Sequence, residues 1–177
     1  MKNILIIVLL LPTLLPAQSA KQDSIWKPLK FLIGNWQGTG EGQPGKGNYE
    51  RTYQPTLNKK FIEIKNKSTY PPTDKNPKGE VHEDIGYISY DNGRKTFILR
   101  QFHIEGFVNQ YKLDSISADG KTFVFISEAI ENIPSGWRAK ETYHLTSQNE
   151  FIETFELAPP NGDFKVYTKV TFKRLGL

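Results

Sequence analysis

The chain has 177 residues, a formal net charge of +4 and a hydrophobic content of 37%, which is typical of one globular domain. It contains no cysteine, and this excludes disulfide bonds, thiol catalysis, a lipid-modified cysteine and most structural zinc sites. Its basic residues are interspersed with acidic ones rather than gathered into a stripe, so we expect no nucleic-acid partner.

The N-terminal segment has the pattern of a signal peptide. A positive charge precedes an apolar run over residues 4–15, and small residues then suit cleavage after Ala17 or Ala20. The run is shorter than the about 20 residues that span a bilayer, which favours a signal peptide over a retained membrane anchor. We therefore predict that residues 1–20 are removed, that residues 21–177 form one domain, and that the protein is periplasmic or secreted without a stable membrane anchor.

A short helix and a glycine-rich strand follow. The helix is predicted over residues 26–33, because Pro28 suits a first helical turn and Gly34 suits a C-terminal stop. The stretch Gly34–Gly42 combines Trp36 with closely spaced glycines, which lets a first strand bend tightly while the tryptophan fills a barrel floor. We expect the helix to cover one end of that barrel.

From this strand to the C-terminus the hydrophobic period is two, with turns rich in Gly, Pro, Asn and Asp between short segments. No long helical pattern interrupts them. We therefore predict an all-β fold: an antiparallel up-and-down β-barrel of about ten strands, of lipocalin-like (calycin) type, with the short helix over one end. The predicted strands are 35–41, 47–56, 60–69, 81–90, 95–103, 106–114, 121–130, 136–146, 149–157 and 163–174.

The alternation also predicts which side chains point into the barrel. Polar groups are among them, and because burying unpartnered polar groups is costly, they indicate interior water, a ligand or internal pairing. Barrels of this size have room for one small ligand. Phe151, Phe155 and Phe164 are predicted to supply apolar parts of the interior. The predicted ligand-binding residues are Gln101, His103, Asn109, Tyr111, Trp137, Glu141, Tyr143 and Glu153.

Two histidines carry candidate chemistry. His82, beside Glu83 and Asp84, could serve a metal or proton-transfer site, but we favour a polar strand-edge histidine and predict no metal ligand. Adjacent Glu83 and Asp84 must point to opposite faces of a strand. His103, beside Asn109 on the paired strand, could act as an acid or base, or could only order its hairpin. A barrel isomerase or hydrolase that uses this histidine therefore stays an alternative.

The inward carboxylates Glu141 and Glu153 lie on consecutive predicted strands. As a pair of like charges they would raise one another's pKa and could do acid–base work. The favoured alternative is that they pair with Arg51, Lys65 or Arg100.

Three motifs carry a family resemblance: Gly34–Gly42, the stretch Val81–Ile88 (VHEDIGYI), and the hairpin around Gly106. In this order they resemble the nitrobindin-type haem-binding β-barrels and their bacterial relatives in the lipocalin-like, fatty-acid-binding-protein-like group. The resemblance implies haem and nitric-oxide binding as an alternative function. The axial histidine of that family corresponds here to Tyr167, and tyrosine can ligate ferric haem. The alternation of the last strand, however, points Tyr167 outward and Val166 inward.

We therefore predict a monomeric or homodimeric barrel that binds a small hydrophobic or amphipathic molecule in its interior. No resident cofactor is expected, with haem held by Tyr167 as the alternative.

Overall fold

Ten antiparallel strands close into one barrel, in which each strand pairs with its neighbours in sequence and β1 pairs with β10. The computed structural model describes residues 24–74 and 76–176. The predicted fold is confirmed, and every strand begins and ends within two residues of its prediction. The strands are β1 (Gly34–Gly42), β2 (Gly47–Thr56), β3 (Phe61–Tyr70), β4 (Glu80–Asp91), β5 (Thr96–His103), β6 (Val108–Ile116), β7 (Thr122–Glu131), β8 (Arg138–Ser147), β9 (Glu150–Ala158) and β10 (Lys165–Arg174).

A short helix closes one end of the barrel. One helical turn over residues 24–26 continues into a 3₁₀ helix, Lys27–Leu32, whose Leu29 and Leu32 are fully buried. Trp26 packs on Phe97, with 5.2 Å between ring centroids. Within the described ranges, no helix has the length and apolarity needed to cross a bilayer. The predicted signal peptide, residues 1–20, lies outside them.

Trp36 forms the floor at this closed end, as predicted. Its side chain is buried, and its Nε1–H donates a hydrogen bond to the Leu32 carbonyl at 2.7 Å. The ring meets Phe151 edge-on at 4.7 Å, and the Arg174 guanidinium lies 4.1 Å from the ring centroid. A Cβ on Gly38 would lie 2.8 Å from Phe172, so the strand approaches this aromatic core closely only because that residue is glycine.

β10 contains a β-bulge that changes which of its residues face inward. The pairing with β9 shifts between Val166 and Thr168, so Tyr167 is the extra residue. Val166 is 52% exposed, whereas Tyr167 packs edge-on against Phe155 at 5.7 Å. The prediction that Val166 points inward and Tyr167 outward is therefore wrong, because one extra residue reverses the alternation. Gly42 allows the bulge, since a Cβ there would collide with the Tyr167 carbonyl oxygen.

Phe164 also differs from its prediction. It precedes the first residue of β10, so strand alternation does not govern it. Arg138 Cζ lies 4.9 Å and Lys140 Nζ lies 4.7 Å from the centroid of the Phe164 ring. Both cations belong to the outer face of β8. The assignment of Phe164 to the interior is therefore wrong.

Candidate functional site

A cavity of about 540 Å³ opens at the end of the barrel opposite the helix. Its walls consist of the following residues: Pro44, Tyr49, Arg51, Asn66, Ser68, Tyr70, Glu80, His82, Asp84, Gln101, His103, Glu105, Phe107, Asn109, Ile130, Ile133, Pro134, Trp137, Glu141, Glu153, Phe155, Leu157, Tyr167 and Thr168.

Most residues predicted to bind a ligand do line this cavity: Gln101, His103, Asn109, Trp137, Glu141 and Glu153, and with them the candidate haem residue Tyr167. Tyr111 and Tyr143 do not. Both are buried in the core, where the Tyr111 hydroxyl accepts a hydrogen bond from Asn109 Nδ2 at 2.9 Å. Trp137 lies just before β8 and is 38% exposed, so it belongs to the rim.

One wall of the cavity, formed by residues of β2, β3 and β4, was not predicted from the sequence. It consists of Asn66, Ser68, His82 and Asp84, together with Arg51, which was predicted only as a partner for the inward carboxylates. The signal for them was present, because His82 and Asp84 share the period-two face of the buried Ile88. As expected, Glu83 and Asp84 face opposite sides, with Glu83 exposed and Asp84 buried.

A buried ion pair crosses the cavity floor from β2 to β9. Arg51 donates from Nη2 to Glu153 Oε1 at 3.2 Å, which confirms one of the predicted partners. Burial lowers the pKa of Arg51, but the nearby carboxylates of Glu153 and Asp84 together have the larger effect, so the pKa of Arg51 is raised overall. Burial raises the pKa of Glu153, and Arg51 offsets this only in part. The floor therefore holds a guanidinium paired with a carboxyl group whose pKa burial raises.

Glu141 is the second carboxyl group of the floor. Glu141 lies on β8 opposite Phe155 of β9, and Glu153 lies two pairs further along, opposite Tyr143. Burial, and then the charge of Glu153, raise the pKa of Glu141 well above its ordinary value. Its Oε2 has no hydrogen-bond partner. Of the two carboxyl groups, Glu153 has the favoured arginine partner, whereas among the described residues Glu141 forms no ion pair.

His82, Asp84 and Glu105 form a chain of contacts along another wall. His82 Nδ1 lies 2.7 Å from Glu105 Oε1, and His82 Nε2 lies 3.4 Å from Asp84 Oδ2. Asn66 donates from Nδ2 to Asp84 Oδ1 at 2.5 Å. Despite burial, which acts in the opposite direction, hydrogen bonds from His82 and Asn66 and the nearby charge of Arg51 lower the pKa of Asp84. The hydrogen bond to Asp84, followed by that to Glu105, raises the pKa of His82.

His103 ends β5 beside this chain. Its Nδ1 lies 4.0 Å from Asp84 Oδ2, its Nε2 lies 3.2 Å from Asn109 Nδ2, and its ring stacks on Phe107 at 4.2 Å. Burial lowers its pKa. Among the described residues, the carboxylate within 4.0 Å of His103 is therefore Asp84, rather than the Glu141 or Glu153 of the predicted acid–base arrangement.

The cavity concentrates polar atoms that lack partners. In the described part of the chain, six buried side-chain atoms have no hydrogen-bond partner, and all six belong to residues that line this cavity: Arg51 Nε, Asn66 Oδ1, Gln101 Oε1, His103 Nδ1, Asn109 Oδ1 and Glu141 Oε2. Each such atom costs about 1–3 kcal/mol unless it meets water or a ligand. The cavity therefore presents polar groups that water or a bound molecule can satisfy.

The charges of the lining residues are unequal. Five carboxyl groups, those of Glu80, Asp84, Glu105, Glu141 and Glu153, face the guanidinium of Arg51 and two histidines. The upper wall is apolar, with Phe107, Ile130, Ile133, Phe155 and Leu157. Asp84, Glu141 and Glu153 are buried, whereas Glu80 and Glu105 are exposed beside the apolar side chains of the mouth.

Comparison with known proteins identifies the family. The model of the THAP4-like, heme-binding beta-barrel domain matches residues 26–174. The chain belongs to this family. No curated protein matches the sequence. The family resemblance inferred from the three motifs is therefore confirmed.

Solved structures show the same architecture. Rv2717c from M. tuberculosis is 15% identical and superposes with a TM-score of 0.64, covering 86% of this chain and 98% of that one. The S-type phycobiliprotein lyase CPES from Guillardia theta is 11% identical, with a TM-score of 0.54 over 86% of this chain and 93% of that one. At these identities the likeness concerns the fold alone.

Proposed function

We propose that the protein is an exported binding protein whose barrel holds one small amphipathic molecule, with its apolar part toward the mouth and a cationic or hydrogen-bond-donating head at the floor. The observation that carries the proposal is the set of six unpartnered buried polar atoms, all on residues lining one cavity whose upper wall is apolar. Ligand sites combine apolar walls with a few convergent polar groups in this way.

The charge balance selects the head group. A carboxylate head would meet an excess of carboxyl groups, with Arg51 already paired to Glu153. An ammonium or hydroxyl head can instead donate to acceptors such as Gln101 Oε1 and Asn109 Oδ1, which lack partners. Like charges brought together at a site oppose binding, so this difference gives selectivity.

Three probes with one alkyl chain test this proposal: octylamine, octanol and octanoate, each titrated into protein kept in EDTA. We expect affinities in that order, with octylamine about tenfold or more tighter than octanoate. Binding is read from the fluorescence of Trp137 at the rim, and Trp137→Phe assigns the signal to that residue. Equal affinities would remove the selectivity, and absence of saturable binding by all three would contradict the proposal.

Export has its own test. Purification from the native host should yield a chain that starts at Gln18 or Lys21, the residues after the two predicted cleavage positions. An intact N-terminus in a cytosolic fraction would contradict export and leave the cavity proposal standing.

Haem is the second candidate ligand, because the bulge of β10 brings Tyr167 into the cavity. A tyrosine phenolate can hold ferric haem iron, and Phe155 and Leu157 supply apolar surface beside it. These residues fit haem near the mouth. When bound, the group would supply an iron centre for a small diatomic ligand such as nitric oxide.

Titration with haemin tests the second candidate. We expect a shift of the Soret band that Tyr167→Phe abolishes, and that Tyr87→Phe, on the outer face of β4, leaves intact. A shift that persists in Tyr167→Phe would exclude Tyr167 as the ligand. Absence of any shift would exclude haem.

A further inference from the structure

Three side chains on one wall of the cavity present donor atoms of the kind that hold a transition metal. His82 and Asp84 are two residues apart on β4, and the register of β4 and β5 places Asp84 opposite His103. Asp84 Oδ2 lies 3.4 Å from His82 Nε2 and 4.0 Å from His103 Nδ1. One ligand atom from each residue lies within 4.8 Å of the other two.

We propose that His82, Asp84 and His103 form a binding site for a divalent transition-metal ion of the zinc class, with an open coordination position toward the cavity. Two imidazoles and one carboxylate are a common ligand set for such ions, and three protein ligands leave room for water or an organic ligand. The site does not depend on which molecule fills the rest of the cavity.

The spacing of the donors suits this purpose. In a tetrahedral site with metal–ligand bonds of about 2.0–2.2 Å, neighbouring ligand atoms lie about 3.3–3.6 Å apart. His82 and Asp84 already have this separation. His103 needs only a small rotation of its ring toward Asp84.

The surroundings of His82 and Asp84 resemble those of metal ligands. His82 turns its other ring nitrogen to the carboxylate of Glu105 at 2.7 Å, and the second oxygen of Asp84 accepts a hydrogen bond from Asn66. Metal-bound histidines usually donate their remaining N–H to a carboxylate or carbonyl, which fixes the ring and its tautomer.

The environment of His103 is not explained by an ion pair between His82 and Asp84 alone. Its side chain is only 10% exposed, and its Nδ1 has no hydrogen-bond partner. Asn109 Nδ2 now donates toward Nε2, which leaves the proton of a neutral ring on Nδ1. Rotation of the Asn109 amide by half a turn would present Oδ1, itself unpartnered, to an Nε2–H and free Nδ1 to bind a metal.

The electrostatics of the cavity favour a doubly charged cation at this place. The lining carries more carboxyl groups than fixed positive charges. A bound cation would offset that excess, and it would also give the buried His103 nitrogen its missing partner. The remaining histidine of the chain, His144, lies on the outer face of β8, where its Nδ1 contacts Thr122 Oγ1 at 2.9 Å.

The test uses tag-free protein stripped with EDTA, dialysed and titrated with ZnCl₂ by calorimetry, and with CoCl₂ by visible absorption. We expect saturable binding of one ion per chain. His103→Gln and Asp84→Asn should each weaken binding by at least tenfold, and Glu105→Gln by about 10–100-fold, as is usual for a group that orients a ligand. His144→Gln is the matched control and should leave the affinity within twofold.

Thermal unfolding in EDTA shows whether each variant folds. If Asp84→Asn fails to fold, His103→Gln decides, because no other side chain depends on its Nδ1. The absence of saturable Zn²⁺ and Co²⁺ binding would overturn the proposal. So would binding that survives His103→Gln, or binding that His144→Gln abolishes. Since no organic ligand is present, these outcomes are independent of the alkyl-probe and haemin experiments.

Discussion

The two ends of the barrel are built from the same ten strands, yet they bury opposite kinds of side chain. The closed end is an aromatic cluster under the helix, in which Phe151 packs against both Trp36 and Phe172. The open end buries Arg51 and several carboxyl groups around a cavity. The contrast indicates that the closed end contributes most of the stability, whereas the proposed binding site lies at the open end, which holds all six buried polar atoms without partners in the described part of the chain.

The largest expected effect comes from truncating one phenylalanine at each end of the barrel. Phe151→Ala should lower the free energy of unfolding by about 3–5 kcal/mol, because it empties the centre of the closed end. Phe155→Ala, on the same strand but beside the cavity, should cost about 1–2 kcal/mol, because its surroundings are already open. Urea unfolding of both variants measures the difference. Equal losses would contradict the division of roles.

The second prediction concerns the buried ion pair between Arg51 and Glu153 at the open end. Arg51→Met should lower the free energy of unfolding by about 3–5 kcal/mol at pH 7, since it leaves the buried Glu153 without its partner. Adding Glu153→Gln should recover most of that loss, because no buried charge is then left unpaired. A double variant as unstable as Arg51→Met alone would show that Arg51 acts through packing on Tyr49 and Phe172 instead.

The third prediction is a smaller change in the free energy of unfolding, and this change is stabilising. The pKa of Glu141 is raised from its ordinary value of 4.5 by burial and by Glu153. The native state therefore binds the proton of the Glu141 carboxyl group more tightly than the unfolded chain does. The resulting contribution of Glu141 to the free energy of unfolding is full at low pH and is lost as the pH rises through the raised pKa. Glu141→Gln should therefore stabilise the protein by about 1–3 kcal/mol at pH 8.

The same substitution should have little effect near pH 4, where the carboxyl group is protonated in both states. Thermal unfolding from pH 4 to pH 8 measures the trend, with the exposed Glu50→Gln on β2 as the matched control. A stabilisation that does not grow with pH would contradict the assignment of a buried, raised carboxyl group.

The sequence was sufficient for the closed end and for the strand order. Strict alternation along β2 and β8 identifies buried faces, since a slip of one residue would expose every core side chain. The same rule grouped Gln101 and His103 with Asn109 on one face of the hairpin, and in the structure Gln101 pairs with Asn109.

It was less sufficient for the open end, for two physical reasons. A polar residue on an inward face reads like a surface residue, so Asn66 and Asp84 were not recognised as lining the cavity. Contacts between strands also depend on register rather than on spacing along the chain. The 4.0 Å approach of His103 to Asp84 is therefore visible only in the folded structure.

The bulge of β10 has a further consequence for how relatives of this chain can diverge. Deletion of Tyr167, the extra residue, would restore regular pairing with β9, leave Val166 opposite Glu156 and Thr168 opposite Phe155, and remove the phenol from the cavity. No side chain would need to change type. In such barrels a cavity-lining side chain can thus be gained or lost through a single-codon insertion or deletion, and alignments that score substitutions alone would overlook that event.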